Sequence, residues 1–294
     1  MTPAMDGPGR WLVTGAGGLL GRELTGVLGE QGRACAAVSR RDLDVTDVTA
    51  VRAAVVRHRP DVLVNCAAWT RFHDAEARED EALRVNGTAV RGIAEVCRDL
   101  GVRLVHVSTD YVFDGTATSP YPEDAPTRPV NAYGRTKVAG ERAVADVLGG
   151  DAAIVRTAWL YGRHEPGFVR MLIDAARTRD TVDVVDDQWG QPTWAADTAR
   201  QIVALAGAGA GGVFHATNGG AVSRYDLARE VFRLLGTDPD RVRPVGTDRF
   251  PGPGRRPRYT VLGHDAWQAA GLRPMRHWCD ALAAAFPELT GGGR

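Results

Sequence analysis

Lysine is nearly absent from this chain of 294 residues, in which 36 residues are basic and Lys137 is the single lysine. Acidic residues also number 36, so the formal net charge is zero. We therefore expect no partner that binds through overall charge, and neither nucleic acid nor an anionic membrane surface fits. Because arginine supplies every other basic side chain, the one ammonium indicates a position where a planar guanidinium would not serve.

The sequence is also poor in cysteine, with four residues that form neither a Cys-x-x-Cys pair nor a metal-ligand cluster. We expect reduced thiols in the core and predict no metal site. No apolar run is long enough to span a bilayer, and residues 1–10 lack the basic and then apolar order of a secretory signal. These absences favour a cytoplasmic protein without a membrane partner. The cysteines are Cys35, Cys66, Cys97 and Cys279.

Apolar strands alternate with amphipathic helices through the first 160 residues. The predicted strands cover residues 11–13, 34–38, 62–66, 103–107 and 152–156. The predicted helices cover residues 19–31, 48–58, 80–100 and 131–148. This alternation is typical of βαβ units, and right-handed crossovers then favour a Rossmann-type, doubly wound parallel sheet. We therefore predict an α/β fold whose first domain covers residues 1–160.

The alternation weakens after residue 161, where we predict a smaller α/β region at residues 161–294 that mainly binds substrate. The predicted helices cover residues 168–178, 194–206, 224–235, 267–272 and 277–286, and the predicted strands cover residues 182–186 and 213–216. Residues 207–212, all Gly or Ala, and the Pro-, Gly- and Arg-rich residues 251–257 predict loops. We expect the chain to cross back to the first domain once or twice.

A glycine-rich turn follows the first predicted strand and leads into the first helix. Gly15 permits a tight turn, Gly18 lets the backbone approach a pyrophosphate, and Gly21 allows close packing of the helix. The N-terminus of the helix adds free N–H groups and a partial positive charge for phosphates. The predicted dinucleotide contacts are Gly15, Gly17, Gly18, Leu19, Leu20 and Gly21.

The end of the second predicted strand indicates which dinucleotide binds. An acidic residue is usual there in sites for NAD, because it binds the ribose 2′-hydroxyl, whereas arginine suits the 2′-phosphate of NADP. Ser39 and Arg40 occupy this place in the chain. We therefore predict NADPH as the cofactor, with NADH as the alternative.

Tyr133 precedes Lys137 by four residues, which puts both side chains on one face of a helix. A fixed ammonium favours a neighbouring phenolate, so we expect the pKa of the tyrosine to be lowered. Such a tyrosine could exchange a proton with a substrate near neutral pH.

The glycine pattern together with Tyr133-x-x-x-Lys137 resembles the extended short-chain dehydrogenase/reductase superfamily. Further stretches are similar to one of its families, the dTDP-4-dehydrorhamnose reductases. The most specific is Ser-Thr-Asp-Tyr-Val-Phe-Asp-Gly at residues 108–115. The other matching stretches are residues 43–47, 65–70, 85–88, 156–162, 187–193 and 256–262.

The resemblance implies a function and a set of residue roles. It implies NADPH-dependent reduction of the C4 ketone of a dTDP-4-keto-6-deoxy-L-hexose for rhamnose or natural-product deoxysugar biosynthesis, with a homodimer as one assembly. Thr109 would bind the substrate carbonyl, Tyr133 would deliver the proton, and Lys137 would hold the nicotinamide ribose. The other implied cofactor contacts are Asp44, Val45, Ala67 and Ala68. The implied substrate contacts are Trp69, His73, Thr109, Asp110, Tyr111, Trp159, Gln191, Thr193 and Arg256.

Residues 71–76 depart from the pattern of the family. His73 stands where the family usually has an acidic residue, and Asp74 stands where it usually has lysine. Loops at the carboxyl ends of strands line the crevice of such a sheet, so this one should lie near the sugar. The departure favours a modified 6-deoxyhexose over the ordinary rhamnose precursor.

Two other functions fit the same superfamily. One is a nucleotide-sugar epimerase, while a dehydratase is disfavoured because Asp110 and Tyr111 follow Thr109 where dehydratases usually have Asp-Glu. The other is a regulatory subunit that binds NADP without catalysis. Intact Thr109, Tyr133 and Lys137 argue against such a subunit, because mere binding does not require them.

Overall fold

A parallel β-sheet lies at the centre of the computed structural model, which describes residues 9–164 and 167–291. The strands are β1 (Arg10–Thr14), β2 (Ala34–Val38), β3 (Val62–Asn65), β4 (Arg103–Thr109), β5 (Ala153–Thr157), β6 (Leu160–Tyr161), β7 (Val182–Val185), β8 (Trp189–Gly190), β9 (Thr193–Trp194), β10 (Gly212–His215), β11 (Val222–Ser223) and β12 (Val242–Val245). The helices are α1 (Leu19–Glu30), α2 (Val48–His58), α3 (Phe72–Ala77), α4 (Glu79–Leu83), α5 (Ala89–Leu100), α6 (Ala132–Leu148), α7 (Phe168–Thr178), α8 (Ala195–Ala208), α9 (Arg224–Leu234), α10 (Asp265–Ala269) and α11 (Trp278–Thr290).

Six parallel strands form the central sheet in the order β10-β5-β4-β3-β1-β2. Successive side chains of a strand point to opposite faces. Trp11 and Val13 therefore enter a core with α1 and α8, while Leu12 enters a second core with α2 and α5. Because both faces of the sheet are covered, most residues of these strands are apolar. This arrangement confirms the predicted doubly wound parallel sheet.

The chain returns to the central sheet after the first 160 residues. Strand β10 pairs with β5 at one edge, and α8 packs against α1. The other late elements surround a separate core that includes Leu172, Val231 and Leu282. Residues after 161 thus contribute both to the central sheet with its helices and to the separate core. The division of the chain into two domains at residue 160 stays a prediction.

The predicted helix over residues 80–100 was wrong in its middle. A π-helical segment, Arg84–Thr88, separates α4 from α5. Its buried Asn86 uses its side chain to bind the backbone of Trp69, and its carbonyl lies against α6 at Gly140. Contacts with distant segments therefore set this backbone, and segments of this kind are frequent at functional sites.

The predicted Gly/Ala loop at residues 207–212 was too long. Helix α8 continues to Ala208, and β10 begins at Gly212. Alanine favours the helix, so the chain leaves it only at Gly209, whose φ is +68°. The loop that contains residues 251–257 was predicted correctly.

The four cysteines carry free thiols. Burial raises the pKa of Cys66 and of Cys97 to about 12, so both stay protonated at neutral pH. Among residues 9–164 and 167–291, no cluster of three or more His, Cys, Asp or Glu side chains could hold a metal ion. No helix in those ranges has the length and apolarity needed to cross a bilayer.

A buried ion pair joins the central sheet to α6. The Arg156 guanidinium donates to both carboxylate oxygens of Glu141, at 2.9 and 2.8 Å. The two side chains are only 5% and 7% exposed. Arg156 also donates to the carbonyl of Glu123, so the pair joins β5, α6 and the loop that precedes α6.

We predict that Glu141→Gln destabilises the fold by about 3 kcal/mol, because it leaves a buried guanidinium without its carboxylate. Urea unfolding followed by circular dichroism would measure the loss. The control is Asp99→Asn, which breaks the solvent-exposed pair of Asp99 with Arg52 and should change stability little. Equal effects of the two variants would contradict this view of the buried pair.

Candidate functional site

The glycine turn after β1 is built for close backbone contact. Gly15 has φ +67°, and a Cβ there would lie 2.6 Å from the backbone nitrogen of Ala67. A Cβ on Gly21 would lie 2.4 Å from the carbonyl oxygen of Gly15, so this glycine packs against the turn itself. Gly18 caps α1 without a side-chain hydrogen bond, which leaves the first N–H groups of the helix open.

This turn lies where the strand order reverses, because β1 has β2 on one side and β3 on the other. Crevices at such points bind ligands in open α/β sheets. We name the crevice here the glycine-turn cleft. The predicted residues that line it are Gly15, Gly17, Gly18, Leu19, Leu20, Gly21, Ser39, Arg40, Asp44, Val45, Ala67, Ala68, Trp69, Thr109, Asp110, Tyr133, Lys137 and Trp159. The structure thus brings every predicted cofactor residue to one place.

The far edge of the cleft carries positive charge. Ser39 follows β2 and donates its hydroxyl to Asp42 at 2.7 Å, so this acid is occupied within its own turn. Asp44 accepts from the backbone N–H and hydroxyl of Thr46, and these hydrogen bonds lower its pKa. Arg40 lines the cleft at the same edge. The arrangement suits a phosphate group better than a free ribose hydroxyl.

Thr109 and Tyr133 meet at the inner end of the cleft. Thr109 is the last residue of β4, and Tyr133 lies in the first turn of α6, which Asn131 caps through the N–H of Gly134. Thr109 acts to lower the pKa of the nearby Tyr133 hydroxyl, and its own hydroxyl donates to Asp110 Oδ1 at 3.0 Å. The approach depends on Gly134, because a Cβ there would lie 2.2 Å from the carbonyl oxygen of Tyr111.

The expected effect of Lys137 on Tyr133 was wrong. The pKa of Tyr133 is raised, with burial as the largest cause, and Lys137 is not among the groups that shift it. The lysine side chain runs to β4, where its Nζ donates to the carbonyl of Val107 at 2.7 Å. The raised pKa keeps Tyr133 protonated at neutral pH, which is the state that a proton donor requires.

Burial also controls the two neighbouring ionisable groups. Lys137 is 1% exposed, and burial lowers its pKa to about 8. Asp110 is 2% exposed, and burial raises its pKa to about 6, although the hydrogen bond from Thr109 opposes the shift. Clusters of perturbed groups in a cleft are typical of active sites.

A second cavity meets the glycine-turn cleft at Trp159 and Leu160. We name it the arginine cavity, because it is lined by Arg224, Arg255, Arg256 and Arg258 together with Phe168, Gln188, Thr247 and Phe250. Trp159 has φ +42°, a strained conformation for a bulky residue that occurs preferentially at functional sites. The two cavities thus form one continuous path past Trp159.

Arg224 packs its guanidinium 4.0 Å from the ring centroid of Trp159 and donates to Gln188 at 3.1 Å. Arg256 donates to the Tyr111 hydroxyl at 3.1 Å and lies over the ring of Phe72. In residues 9–164 and 167–291, neither arginine pairs with a carboxylate within 4.0 Å. Their charge therefore remains available to an anion.

His73 lies at the rim of the arginine cavity. Its Nδ1 is 3.0 Å from the carbonyl oxygen of Pro253, so the imidazole links α3 to the loop of residues 251–257. A Cβ on Gly254 would lie 2.7 Å from Phe72, which shows how closely the two segments pack. His73 thus fixes a wall of the cavity.

The structure does not bring Gln191 and Thr193 to either cavity. The Gln191 amide bonds both the N–H and the carbonyl of Leu262, at 2.8 and 3.1 Å. Thr193 donates its hydroxyl to the carbonyl of Gln191. Their side chains are used within the protein, so any effect on a ligand passes through the loop at Leu262.

Sequence reasoning missed Arg224, and it missed the buried pair of Asn65 and His106 beneath Lys137. Arg224 has no signal of its own in a chain where arginine is everywhere. Asn65 lies in one of the stretches that resemble the reductase family, but nothing in its sequence context indicated a role for its side chain. His106 lies in a predicted strand, and the sequence alone did not show that this strand residue would lie beside Lys137.

Comparisons with known proteins agree with this geometry. The model of the RmlD substrate binding domain family matches residues 9–290. A dTDP-4-keto-6-deoxy-D-glucose reductase from Streptomyces niveus is 62% identical over 281 residues, which cover 96% of this chain and 98% of the relative. A dTDP-4-dehydrorhamnose reductase from Streptomyces griseus is 53% identical over 287 residues, with coverages of 96% and 94%.

Solved structures show the same fold at full length. The dTDP-4-dehydrorhamnose reductase from Bacillus anthracis, solved in complex with NADP, is similar with a TM-score of 0.91 and 33% identity. The match covers 95% of this chain and 99% of that protein. The family model and these relatives extend over nearly the whole sequence, and the chain therefore belongs to the RmlD substrate-binding-domain family of dTDP-4-dehydrorhamnose reductases.

Proposed function

We propose that this protein is an NADPH-dependent reductase of the C4 ketone of a dTDP-4-keto-6-deoxyhexose. The observation that carries the proposal is that Thr109, Tyr133 and Lys137 all line the glycine-turn cleft, which meets the arginine cavity at Trp159 and Leu160. Relatives over 50% identical are named as reductases of such sugars. An epimerase or a non-catalytic subunit has no comparable support.

The glycine-turn cleft fits NADPH. Gly15 and Gly21 keep the turn free of side chains, and the uncapped start of α1 offers N–H groups to a pyrophosphate. Arg40 would bind the 2′-phosphate beside Ser39, while Asp44 and Val45 would lie against the adenine and Ala67 and Ala68 would line the cleft. Lys137 would hold the nicotinamide ribose. The bound cofactor supplies the hydride.

Thr109 and Tyr133 would act on the carbonyl oxygen of the substrate. Their hydroxyl groups are placed before the reaction, so they stabilise the negative charge that develops on this oxygen more than they stabilise the neutral ketone. Tyr133 gives its proton to the alkoxide. Burial has raised its pKa, so the proton is present on the tyrosine at neutral pH.

The arginine cavity would bind the nucleotide end of the substrate. Arg224 and Arg256 have no carboxylate partner among the described residues, and arginine pairs with a diphosphate through two parallel hydrogen bonds. Trp159 and Phe168 offer flat apolar surfaces to a base or sugar. Trp69, His73, Asp110 and Tyr111 would complete the sugar pocket, with Gln191 and Thr193 acting only through the backbone they support.

The direct test is oxidation of NADPH, followed by absorbance, with two 4-keto-6-deoxyhexoses as their dTDP derivatives. The sequence predicts the L-hexose, whereas the Streptomyces niveus relative is named for the D-glucose series. Turnover of either sugar supports a 4-ketoreductase and identifies the configuration. Isomerisation without NADPH oxidation would instead establish an epimerase, and tight NADPH binding without either reaction would favour the regulatory subunit.

We predict that Tyr133→Phe lowers kcat about 1,000-fold or more, because the proton donor and one hydrogen bond to the developing charge are lost together. NADPH should bind with unchanged affinity, which fluorescence titration would measure. Tyr225→Phe is the control, because this hydroxyl accepts from Arg229 on α9 and lies outside both cavities. Wild-type turnover in the Tyr133 variant would refute the assignment.

The cofactor edge gives a second prediction. Arg40→Ala should raise the KM for NADPH about 10- to 100-fold, because a charge-assisted hydrogen bond to the 2′-phosphate is lost. The KM for NADH should not change, since NADH has no such phosphate. Arg57→Ala on α2 removes an arginine outside the cleft and serves as the control. A parallel loss with both cofactors would place Arg40 elsewhere.

A further prediction concerns the arginine cavity, where the nucleotide end of the substrate would bind. Arg224→Gln should raise the KM for the dTDP-sugar about 10- to 100-fold and leave the KM for NADPH unchanged. The matched control is Arg229→Gln, five residues later on the same helix, which loses an exposed pair with Asp240. If the two variants had the same KM for the sugar, the arginine cavity would not be the diphosphate site.

A further inference from the structure

Four polar side chains form a buried chain beneath the glycine-turn cleft. Thr14, Asn65, His106 and Lys137 lie on β1, β3, β4 and α6 and are each at most 1% exposed. Thr14 Oγ1 donates to Asn65 Oδ1 at 2.7 Å, and Asn65 Nδ2 lies 3.1 Å from His106 Nδ1. His106 Nε2 lies 3.4 Å from Lys137 Nζ. This series of polar contacts therefore ends at Lys137, the single lysine of the protein.

The backbone sets the direction of this chain. The N–H of Ala67 can only donate, and it donates to Asn65 Oδ1 at 3.2 Å. The Asn65 amide is thereby oriented with its NH2 group toward His106, so Nδ1 of the imidazole must accept. A neutral imidazole has one N–H and one lone pair, and the proton of His106 therefore lies on Nε2.

His106 stays neutral in this position. Its pKa is lowered well below the usual value by burial first and by the charge of Lys137 second. Its Nε2–H then points toward Lys137 Nζ. An ammonium has three donors and no acceptor, whereas a neutral amine has a lone pair for this N–H. The imidazole thus opposes the charged form of the lysine.

Other groups that face Lys137 act in the opposite direction. The carbonyl of Val107 on β4 accepts from Nζ at 2.7 Å. Glu141, one turn later on α6, and Cys66, just after β3, raise the pKa of Lys137. Glu141 is already bound in both oxygens by Arg156. The protonation of Lys137 is therefore a balance in which the Nε2–H of His106, 3.4 Å away, favours the neutral amine.

We propose that Asn65 and His106 are positioning residues: Asn65 locks His106 as the Nε2–H tautomer, and this N–H makes Lys137 release its proton more readily. The inference rests on the proposed function, in which Lys137 supports the proton donor Tyr133. A lysine that passes between ammonium and amine close to the working pH can take part in proton exchange, whereas one with an ordinary pKa would keep its charge.

The single lysine makes the proposal directly measurable without turnover. Isotopically labelled lysine gives one side-chain NMR signal from the whole protein, and its titration reports the pKa of Lys137, expected at about 8. Long-range proton–nitrogen correlation spectra identify the His106 tautomer, with His106→Leu to assign the signals. A proton on Nδ1 in the wild-type protein would overturn the proposal.

Asn65→Asp tests the lock. A carboxylate can still accept from Ala67 and Thr14, and it also accepts from Nδ1–H, which reverses the tautomer and turns the Nε2 lone pair toward Lys137. We expect the pKa of Lys137 to rise from about 8 to about 9 or higher, the effect of one hydrogen bond to a charged group. Thr14→Val is the matched control, because Ala67 alone still orients Asn65, and there the pKa should stay where it is.

A double-mutant cycle separates the tautomer from the added charge. If the aspartate acts through His106, its effect on Lys137 should shrink when Asn65→Asp is made in the His106→Leu background. An equal rise in both backgrounds would show that charge alone acts, and it would refute the lock. Since neither measurement uses substrate, either result stands apart from the proposed reductase activity. In an active enzyme, the alkaline limb of kcat against pH should move upward with Asn65→Asp.

Discussion

The close approach of α6 to two other backbone segments is the constraint on which the site depends. A Cβ at Gly134 would lie 2.2 Å from the carbonyl oxygen of Tyr111, and a Cβ at Gly140 would lie 2.2 Å from that of Asn86. Lys137 lies between these two contacts, and Tyr133 lies just before the first. Because a helix is rigid over so short a distance, the two glycines set the depth at which both side chains reach the end of β4. Misplacement by about 1 Å can cost 100-fold in rate, so the proposed reaction would depend on this depth.

The same packing explains two irregular features of the chain. The π-helical segment turns the side chain of Asn86 toward the backbone of Trp69, which fixes the loop after β3 along the cleft. The left-handed backbone of Trp159 costs about 1–3 kcal/mol and puts its ring where the two cavities meet. The pairing of β6 with β9, directly after Trp159, supports this conformation, since the N–H of Thr193 donates to the carbonyl of Trp159. Both irregular features therefore shape the path that the ligands would share.

Local signals made much of the fold predictable. The ends of α2 and α7 agree with the sequence patterns, and α6 and α9 begin within one residue of their predicted starts, after the caps Asn131 and Ser223. The glycine turn and its helix were equally clear, because they depend on neighbours in sequence. The π-helical segment was not predictable, since it depends on contacts of Asn86 with Trp69 and Thr136. The Gln191 amide likewise finds its partners 71 residues away.

The chemistry of the site was predictable in its residues and less so in its electrostatics. Spacing on a helix showed that Tyr133 and Lys137 share a face, but it could not show that Lys137 would be buried and Tyr133 half-buried. Burial acts in opposite directions on the two pKa values, raising that of the phenol and lowering that of the ammonium. The expected lowering for the tyrosine considered only the neighbouring charge. Desolvation is a property of the fold, and it is the largest cause of the raised pKa of Tyr133.

The surroundings of residue 137 give a physical reason for the single lysine in the sequence. At residue 137 the side chain ends between the carbonyl of Val107 and the imidazole of His106, with 1% of its surface exposed. A guanidinium brings five donors and a charge that it cannot lose, and it would meet a single carbonyl acceptor and an opposing N–H. An ammonium needs fewer acceptors and can become a neutral amine. The one lysine in an arginine-rich chain therefore stands where a guanidinium would lack acceptors, and its charge can be removed as we propose for this site.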